Sequence, residues 1–348
     1  MNFHKRIQSS LPDSNITSLP CKYYTSDEVN DIEINRKEYK GLRILHHNIR
    51  SIDKHMGKLM ALLHSFTNGF DMVSLTEIGC KNLESRAELL LNQHGMVFKY
   101  DPPTSTKGGA GIIYRENLQV DTREDLKMTT DLALENIWIE QEYENKKDNV
   151  IIGVIYRHPG GTVEEIDKFT NEIQQQLLKI EKENNQCIIL GDLNIDAMKC
   201  EGNEHIKMFF TTILDNTYIP TITLPTRIED CSISLIDHIL INTHVIRGTN
   251  TIITGNIFSD ISDHLPNFIL MTNQSQPSNK IRPMVRIYGD KNMTKFKDKI
   301  KKRHGNPSMK QNVPVKLLKS LKLYGTRPTM SHFPLLNYLE GEKRIKNG

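Results

Sequence analysis

Short apolar runs recur along residues 42–271, and polar side chains follow the end of most of them. The most uniform run is 187–190, which stops at Gly191. A short, wholly apolar run is typical of a strand that is buried on both faces. The pattern predicts strands at 42–48, 71–76, 108–114, 134–143, 149–156, 187–190, 235–241 and 265–271.

Apolar residues at helical spacing predict helices over residues 52–66, 163–180 and 206–214. More than six strands with so few helices between them favour two packed sheets flanked by helices, because one open sheet would need more crossovers. Residues 1–40 show neither periodicity and are expected to form a flexible leader. The predicted fold class is therefore α/β, with one large domain over residues 41–272.

The composition indicates the cellular compartment in which the protein is expected. No apolar run approaches the roughly 20 residues that a membrane span needs, and the N-terminus lacks the apolar stretch of a signal peptide. The five cysteines include no Cys-x-x-Cys pair, so neither a zinc cage nor a disulfide framework is indicated. We expect an intracellular protein in a reducing compartment, with no membrane partner.

The net charge of +3 conceals two segments of opposite sign. Residues 273–348 contain 18 Lys and Arg against 4 Asp and Glu, whereas residues 1–272 contain 27 against 38. An acidic body does not suit broad electrostatic contact with a polyanion, so nucleic-acid contact in the body must be local. The basic tail over residues 273–348 is a candidate for sequence-independent contact with DNA or RNA, or a solvated linker.

Candidate chemistry lies at the ends of the predicted strands: Asn48, Glu77, Tyr156, Asp192 with Asn194, Asp237, and Asp263 with His264. Most of these residues have an ordinary structural alternative when taken singly. Asn48 could cap a helix, Glu77 could be a solvated strand end, and Tyr156 could be core packing. Asp192 and Asn194 could form an Asx turn, and His264 could be a surface histidine.

Asp237 is harder to explain as a structural residue because the neighbouring residues of its strand are apolar. An unpaired carboxylate is costly to bury, so Asp237 needs a partner. His264, just before the last predicted strand, supplies an imidazole. The sequence therefore predicts that the two side chains meet.

As a set, these residues resemble the endonuclease/exonuclease/phosphatase superfamily, which includes DNase I, abasic-site endonucleases, sphingomyelinases and inositol-polyphosphate phosphatases. The motifs are Asn48, Thr76-Glu77, Tyr156-Arg157, Gly191-Asp192-Leu193-Asn194, Ile236-Asp237-His238-Ile239-Leu240 and Ser262-Asp263-His264. The resemblance implies a four-layered α/β sandwich. One position departs from the family pattern, since Ile78 follows Glu77 where the family often has a hydroxyl residue that hydrogen-bonds the glutamate.

Further motifs are similar to the endonuclease domains of non-LTR retrotransposon proteins. They are Ile155-Tyr156-Arg157-His158-Pro159, Leu224-Pro225-Thr226-Arg227, Phe258-Ser259-Asp260 and, in the tail, Tyr288-Gly289-Asp290-Lys291-Asn292. The tail motif resembles the linker that precedes the reverse transcriptase in those proteins. We therefore expect either a truncated element product or an endonuclease that stands alone.

The resemblance also implies a role for each residue. Glu77, Asn48 and Asp263 are the expected ligands or neighbours of Mg²⁺, for which Mn²⁺ could substitute. Asp192 would deprotonate the attacking water, Asn194 would hold that water or a phosphate oxygen, and Tyr156 would donate to a phosphate oxygen. Asp237 would orient His264 towards the phosphate. Arg157, Thr226 and Arg227 are the expected substrate contacts.

The function implied is a divalent-metal-dependent DNA endonuclease that nicks one strand and leaves a 3′-hydroxyl, with the nucleus as its site of action. A phosphoinositide phosphatase or sphingomyelinase is the alternative within the superfamily. The chain lacks the Pro-x-Trp-Cys-Asp-Arg signature that is usual in the former, and has Ser234-Leu235-Ile236-Asp237 at that place. An inactive binding module is the alternative outside the enzymes.

Overall fold

The computed structural model describes residues 21–32, 42–79, 95–103, 108–129, 132–143, 149–229, 231–248 and 251–272. The chain divides into two compact units, of which the first comprises residues 1–228 and 234–277. The second comprises residues 229–233 and 278–348, and only residue 229 and residues 231–233 of it are described. The predicted basic tail lies outside the described residues.

Within the described part of the first unit, one sheet contains seven strands in the order β1-β14-β15-β2-β3-β5-β4. These strands are β1 (Cys21–Tyr24), β2 (Arg43–Asn48), β3 (Met72–Thr76), β4 (Met96–Asp101), β5 (Ala110–Arg115), β14 (Thr251–Ile257) and β15 (Asn267–Thr272). The central strands β2 and β3 run parallel, so their carboxyl ends lie side by side.

The other sheet contains six strands in the order β10-β13-β9-β8-β7-β6 among the residues that the structure describes. They are β6 (Val120–Thr122), β7 (Leu134–Gln141), β8 (Val150–Arg157), β9 (Gln186–Asp192), β10 (Tyr218–Pro220) and β13 (Asp237–Asn242). Two further short strands are β11 (Arg227–Ile228) and β12 (Ile233–Ser234).

Five α-helices occur in the described ranges: α1 (Ser26–Asn30), α2 (Ile52–His64), α3 (Val163–Glu183), α4 (Glu204–Asp215) and α5 (Thr243–Gly248). Short 3₁₀ helices cover Glu124–Leu126 and Ala197–Lys199. A capping box formed by Thr162 and Glu165 starts α3, and Asn184 ends it in the left-handed conformation. None of the described helices is long and apolar enough to cross a membrane.

The two sheets pack face to face and are covered by helices on their outer faces. The central core contains Ile44 and Ile112 from the first sheet together with Ile152, Leu190 and Ile239 from the second. A second cluster packs α2 on the first sheet, and a third packs α3 and α4 on the second. The order of layers is helix, sheet, sheet, helix, which confirms the predicted four-layered α/β sandwich.

Residues 21–32 differ from the predicted flexible leader. They form β1, which pairs in parallel with β14 at the sheet edge, and the short helix α1. Tyr23 explains part of the order, because its hydroxyl donates to the carbonyl of Pro225 at 3.0 Å and its ring stacks on Phe258. These contacts join segments far apart in sequence, and a search for local periodicity does not detect them.

Candidate active site

Strand register brings the candidate residues of each sheet together. In the second sheet Tyr156 lies opposite Asp192, and Asp192 lies opposite Asp237. Gly191 permits this arrangement, because a Cβ there would collide with the carbonyl oxygen of Ile155. In the first sheet Asn48 lies opposite Thr76, the residue before Glu77. Residues far apart in sequence therefore meet where strands of the two sheets end.

Asn48 connects the two sheets at this point. Its side-chain nitrogen Nδ2 lies 2.9 Å from Oε1 of Glu77 and 2.8 Å from Oδ2 of Asp192. The Oδ1 atom of Asn48 accepts from the backbone N–H of Arg50. The resemblance implies that Asn48 is a ligand or neighbour of the metal ion, and in the structure its amide nitrogen is the donor shared by two carboxylates.

An acidic cluster surrounds this amide. Ligand-type atoms of Glu77, Asp192 and His264 all lie within 4.8 Å of one another. Burial and the nearby charge of Asp237 raise the pKa of Asp192 to about 7. The Asp192 carboxylate is 1% exposed, so an extra positive charge would relieve an unfavourable concentration of negative charge.

The backbone of Glu77 has a positive φ of 50°, a conformation that costs a non-glycine residue energy and often marks a functional position. The following residue, Ile78, is completely buried in the core of the first sheet. Burial of Ile78 anchors this strained turn by packing, without the hydroxyl that the family often has. Asn48 supplies a hydrogen bond to the Glu77 carboxylate instead.

Asp237 and His264 form a buried pair, with Oδ2 of Asp237 2.9 Å from Nδ1 of His264. Burial alone would raise the pKa of Asp237, but the charge of His264 and its hydrogen bond outweigh burial and lower it. Burial would likewise lower the pKa of His264, but the Asp237 carboxylate raises it to about 9. The structure thus places the two side chains together as the sequence predicts.

Thr226 also acts on Asp237. Its hydroxyl Oγ1 lies 2.6 Å from Oδ2 of Asp237 and accepts from the backbone N–H of the same residue. Thr226 is fully buried. The hydroxyl is hydrogen-bonded to the carboxylate that holds His264. The position of Thr226 therefore differs from the expected substrate contact.

Arg157 and Asn194 lock the loop that follows β9. The guanidinium of Arg157 donates to the carbonyl oxygens of Leu193 and Asn194, each at 2.8 Å. The amide of Asn194 donates back to the carbonyl of Arg157 at 2.6 Å, and its backbone N–H donates to Asp192. Arg157 is 5% exposed, so it is a buried brace for the loop and differs from the expected phosphate contact.

Asp263 is held between two arginines at the rim of the cluster. Its Oδ1 lies 3.0 Å from Nε of Arg50, and its Oδ2 lies 2.8 Å from Nε of Arg227. Burial would raise the pKa of Asp263, but the hydrogen bond from Arg227 and the charges of His264 and Arg50 lower it. The resemblance implies that Asp263 is a metal ligand. In the structure Asp263 is not among the three described residues whose ligand atoms cluster together.

Three contributors to the site were not assigned roles from the sequence. His46 is fully buried, with Nε2 3.5 Å from the other oxygen of Asp237 and Nδ1 3.0 Å from the Ser74 hydroxyl. Ser262 donates to the carbonyl of Asn48 at 2.7 Å. Arg50 follows Asn48 by two residues and has a positive φ of 55°. The sequence feature that could have drawn attention to His46 is the presence of a histidine inside an otherwise apolar strand.

The donor set fits a divalent cation. Glu77 and Asp192 present two carboxylates, and hard oxygen ligands of this kind suit Mg²⁺ and similar ions. The nitrogen Nδ1 of His264 is hydrogen-bonded to Asp237, so only Nε2 of the imidazole is open to a ligand, and Glu77 and Asp192 would supply the oxygen atoms that hold the ion. Their proximity, with one carboxylate fully buried, is the arrangement that a bound cation stabilises.

Comparison with known proteins places the chain in a class. The model of the Endonuclease/Exonuclease/phosphatase family matches residues 45–264, more than half of the 348 residues. The chain belongs to this family, whose members are hydrolases that act on phosphodiester bonds. No curated protein matches the sequence significantly.

Solved structures with the same fold include the AP endonuclease LMAP from Leishmania major, with a TM-score of 0.56, 11% identity and coverage of 78% of this chain and 95% of that chain. The 3′-5′ exonuclease NExo from Neisseria meningitidis has a TM-score of 0.52, 15% identity and coverage of 66% and 100%. The endonuclease domain of the telomere-specific non-LTR retrotransposon TRAS1 is 14% identical, with a TM-score of 0.49 and coverage of 67% and 98%.

Proposed function

We propose that this protein is a Mg²⁺-dependent DNA endonuclease of the type found in non-LTR retrotransposons, which nicks one strand and leaves a 3′-hydroxyl. The observation that carries the proposal is the junction at Asn48, whose amide joins the Glu77 and Asp192 carboxylates beside His264. Two acids and an oriented imidazole are the groups that metal-assisted phosphodiester hydrolysis requires.

A bound divalent cation supplies charge neutralisation at the phosphate. Glu77 and Asp192 would hold it, and Asp192 is also placed to receive the proton of an attacking water. His264 turns Nδ1 to Asp237, so its Nε2 is directed away from Asp237 and is available to the phosphate. Tyr156 keeps its proton, because burial and the Glu77 charge raise its pKa. Its hydroxyl can therefore donate to a phosphate oxygen.

The motifs shared with retrotransposon endonucleases support DNA as the substrate, and the arginines beside the acidic cluster suit a phosphate backbone. The side chains of Arg50 and Arg227 are 40% and 28% exposed, close to the hydrogen-bonding groups of the site. Guanidinium groups bind phosphate oxygens in bidentate fashion. Local positive charge of this kind permits DNA contact by a body that is acidic overall.

The proposal is tested by incubating the purified protein with supercoiled plasmid and Mg²⁺. We expect open circles to accumulate, chelation with EDTA to stop the reaction, and a DNA polymerase to extend the nicks without prior end repair. Glu77→Gln should abolish nicking. Glu201→Gln, which changes an exposed acid outside the cluster, should leave it unchanged.

The same preparation should be offered a phosphoinositide and sphingomyelin. Release of phosphate or phosphocholine without plasmid nicking would replace the endonuclease by another phosphoesterase of the family. Absence of metal-dependent turnover on every substrate would indicate an inactive binding module. Nicking by Glu77→Gln at the wild-type rate would contradict the assignment of the metal ligands.

A further inference from the structure

A second buried carboxylate–imidazole pair lies next to the site, apart from Asp237 and His264. Glu135 is completely buried, and both of its carboxylate oxygens lie 3.0 Å from Nε2 of His158. The side chain of His158 is 18% exposed. A buried carboxylate without a partner would be costly, so His158 is part of what allows Glu135 to occupy this position.

The pair is built around Tyr156. Glu135 in β7 lies directly opposite Tyr156 in β8, and directly opposed residues of an antiparallel pair project to the same face. His158 follows Tyr156 by two residues, and the two ring centroids lie 4.9 Å apart with the planes inclined by 57°. Glu135 also contributes to the raised pKa of Tyr156, in keeping with their proximity.

Gly108 covers the other side of the pair. A Cβ at this position would lie 3.1 Å from each Glu135 oxygen and 3.1 Å from Cε1 of His158. Contacts this tight leave little room for a larger residue, and the absence of a side chain lets the backbone approach. The imidazole is therefore confined between the Gly108 backbone, the Glu135 carboxylate and the Tyr156 ring.

We propose that Glu135 and His158 are positioning residues for Tyr156. Glu135 fixes the imidazole, the imidazole packs against the phenol ring, and the phenol is thereby held in place opposite Asp192. A donor held in this way is in place when the substrate phosphate arrives and needs no reorganisation. This inference rests on the proposed function for its catalytic consequence, but the geometry of the pair does not depend on it.

His205 and Asp167 provide a matched control. They form the same kind of pair, with Nδ1 of His205 2.9 Å from Asp167 Oδ1, but their side chains are 39% and 46% exposed. They lie on α4 and α3, where neither touches Tyr156. Removal of this imidazole should affect neither Tyr156 nor turnover.

The catalytic test is a double-mutant cycle measured by plasmid nicking. His158→Ala should lower kcat by about 10- to 100-fold with little change in KM, the usual cost of removing an orienting partner. In the Tyr156→Phe background the same change should cost nothing further, because no hydroxyl remains to be positioned. His205→Ala should retain wild-type kcat. Wild-type kcat in His158→Ala, or losses that multiply in the cycle, would overturn the inference.

A second readout does not need activity. In protein labelled with ¹³C at tyrosine Cζ, the resonance of Tyr156 is identified by its loss in Tyr156→Phe. His158→Ala should shift it and His205→Ala should leave it in place, whereas an unmoved resonance in His158→Ala would refute the positioning role. If urea unfolding shows that His158→Ala does not fold, Glu135→Gln takes its place. Its nicking rate and its Tyr156 resonance are then judged by the same criteria. A wild-type protein that nicks no plasmid but shows the shift would refute the proposed function and leave the positioning role standing.

Discussion

Nδ2 of Asn48 and Oδ2 of Asp192 lie 2.8 Å apart, and this hydrogen bond joins the ends of strands that belong to different sheets. The same nitrogen donates to Glu77. One amide thus fixes the separation of two carboxylates that come from different layers of the molecule. The sandwich fold is therefore directly coupled to the geometry of the candidate metal site.

Asn48→Ala should weaken metal binding and nicking together, by about 10- to 100-fold, because each carboxylate loses its orienting donor. Affinity is measured by Mn²⁺ titration followed by electron paramagnetic resonance, and rate by plasmid nicking. Asn216→Ala is the control, since Asn216 donates to a backbone carbonyl at the end of α4. Unchanged Mn²⁺ affinity in Asn48→Ala would show that the amide does not organise the acids.

Asp237→Asn should lower kcat about as much as His264→Ala, roughly 10²- to 10⁴-fold. The reason is that Asp237 fixes the imidazole, with only 2.9 Å between Oδ2 and Nδ1. The double variant should be little worse than either single variant, because the two residues act as a unit. Losses that multiply in the double variant would mean that the residues act independently.

Arg157→Ala should destabilise the protein by roughly 2 to 4 kcal/mol, because two buried, charge-assisted hydrogen bonds to the loop after β9 are lost. Urea unfolding measures the difference. Arg227→Ala is the comparison, since Arg227 is partly exposed and pairs with the half-buried Asp263, and it should cost less than about 1 kcal/mol. Equal costs for the two variants would contradict the bracing role of Arg157.

His47 makes stability depend on pH. Burial, with the nearby charges of His264 and His46, lowers the pKa of His47 from 6.5 to about 3, and neither ring nitrogen has a hydrogen-bond partner among the described residues. At a pH between about 3 and 6.5, His47 therefore binds a proton in the unfolded chain but not in the folded chain. The contribution of His47 to stability is complete above pH 6.5 and is lost as the pH drops towards 3, by about 2 kcal/mol at pH 5.

His47→Phe keeps an aromatic ring and removes this titration. Urea unfolding in EDTA at pH 7 and pH 5 should show that the variant loses about 2 kcal/mol less than the wild type between the two conditions. An equal loss in both proteins would show that His47 is protonated in the folded state.

Much of the fold follows from local sequence patterns. The predicted strands around Leu45, Leu75, Ile152, Ile189 and Leu240 are all present, because buried strands carry near-continuous apolar runs. Seven strands of the described residues were not predicted: β1, β4, β6, β10, β11, β12 and β14. β1 and β4 lie at the edges of their sheet, and each contains a single buried residue, Tyr23 in β1 and Phe98 in β4, so neither carries a continuous apolar run. β1 pairs with β14, which is far away in the sequence, so no short window of sequence contains both strands.

The candidate site was only partly predictable for the same reason. The pairing of Asp237 with His264 followed from the cost of burying a carboxylate in an apolar strand. The side chains of Thr226 and Arg157 carried no such signal, because a hydroxyl or guanidinium in a strand-end motif suits a substrate contact and a buried brace equally well. The pair of Glu135 and His158 depends on the register of β7 with β8, which the sequence does not reveal.

The most direct test of the central claim is the rate of plasmid nicking as a function of Mg²⁺ concentration, compared between wild type and Glu77→Gln. The account predicts that nicking by the wild type saturates with Mg²⁺. Glu77→Gln should reach at most a few per cent of that rate, and should need roughly 10-fold or more Mg²⁺ to do so. A wild-type protein that fails to nick DNA at any Mg²⁺ or Mn²⁺ concentration, or a Glu77→Gln curve that superimposes on the wild type, would contradict the account.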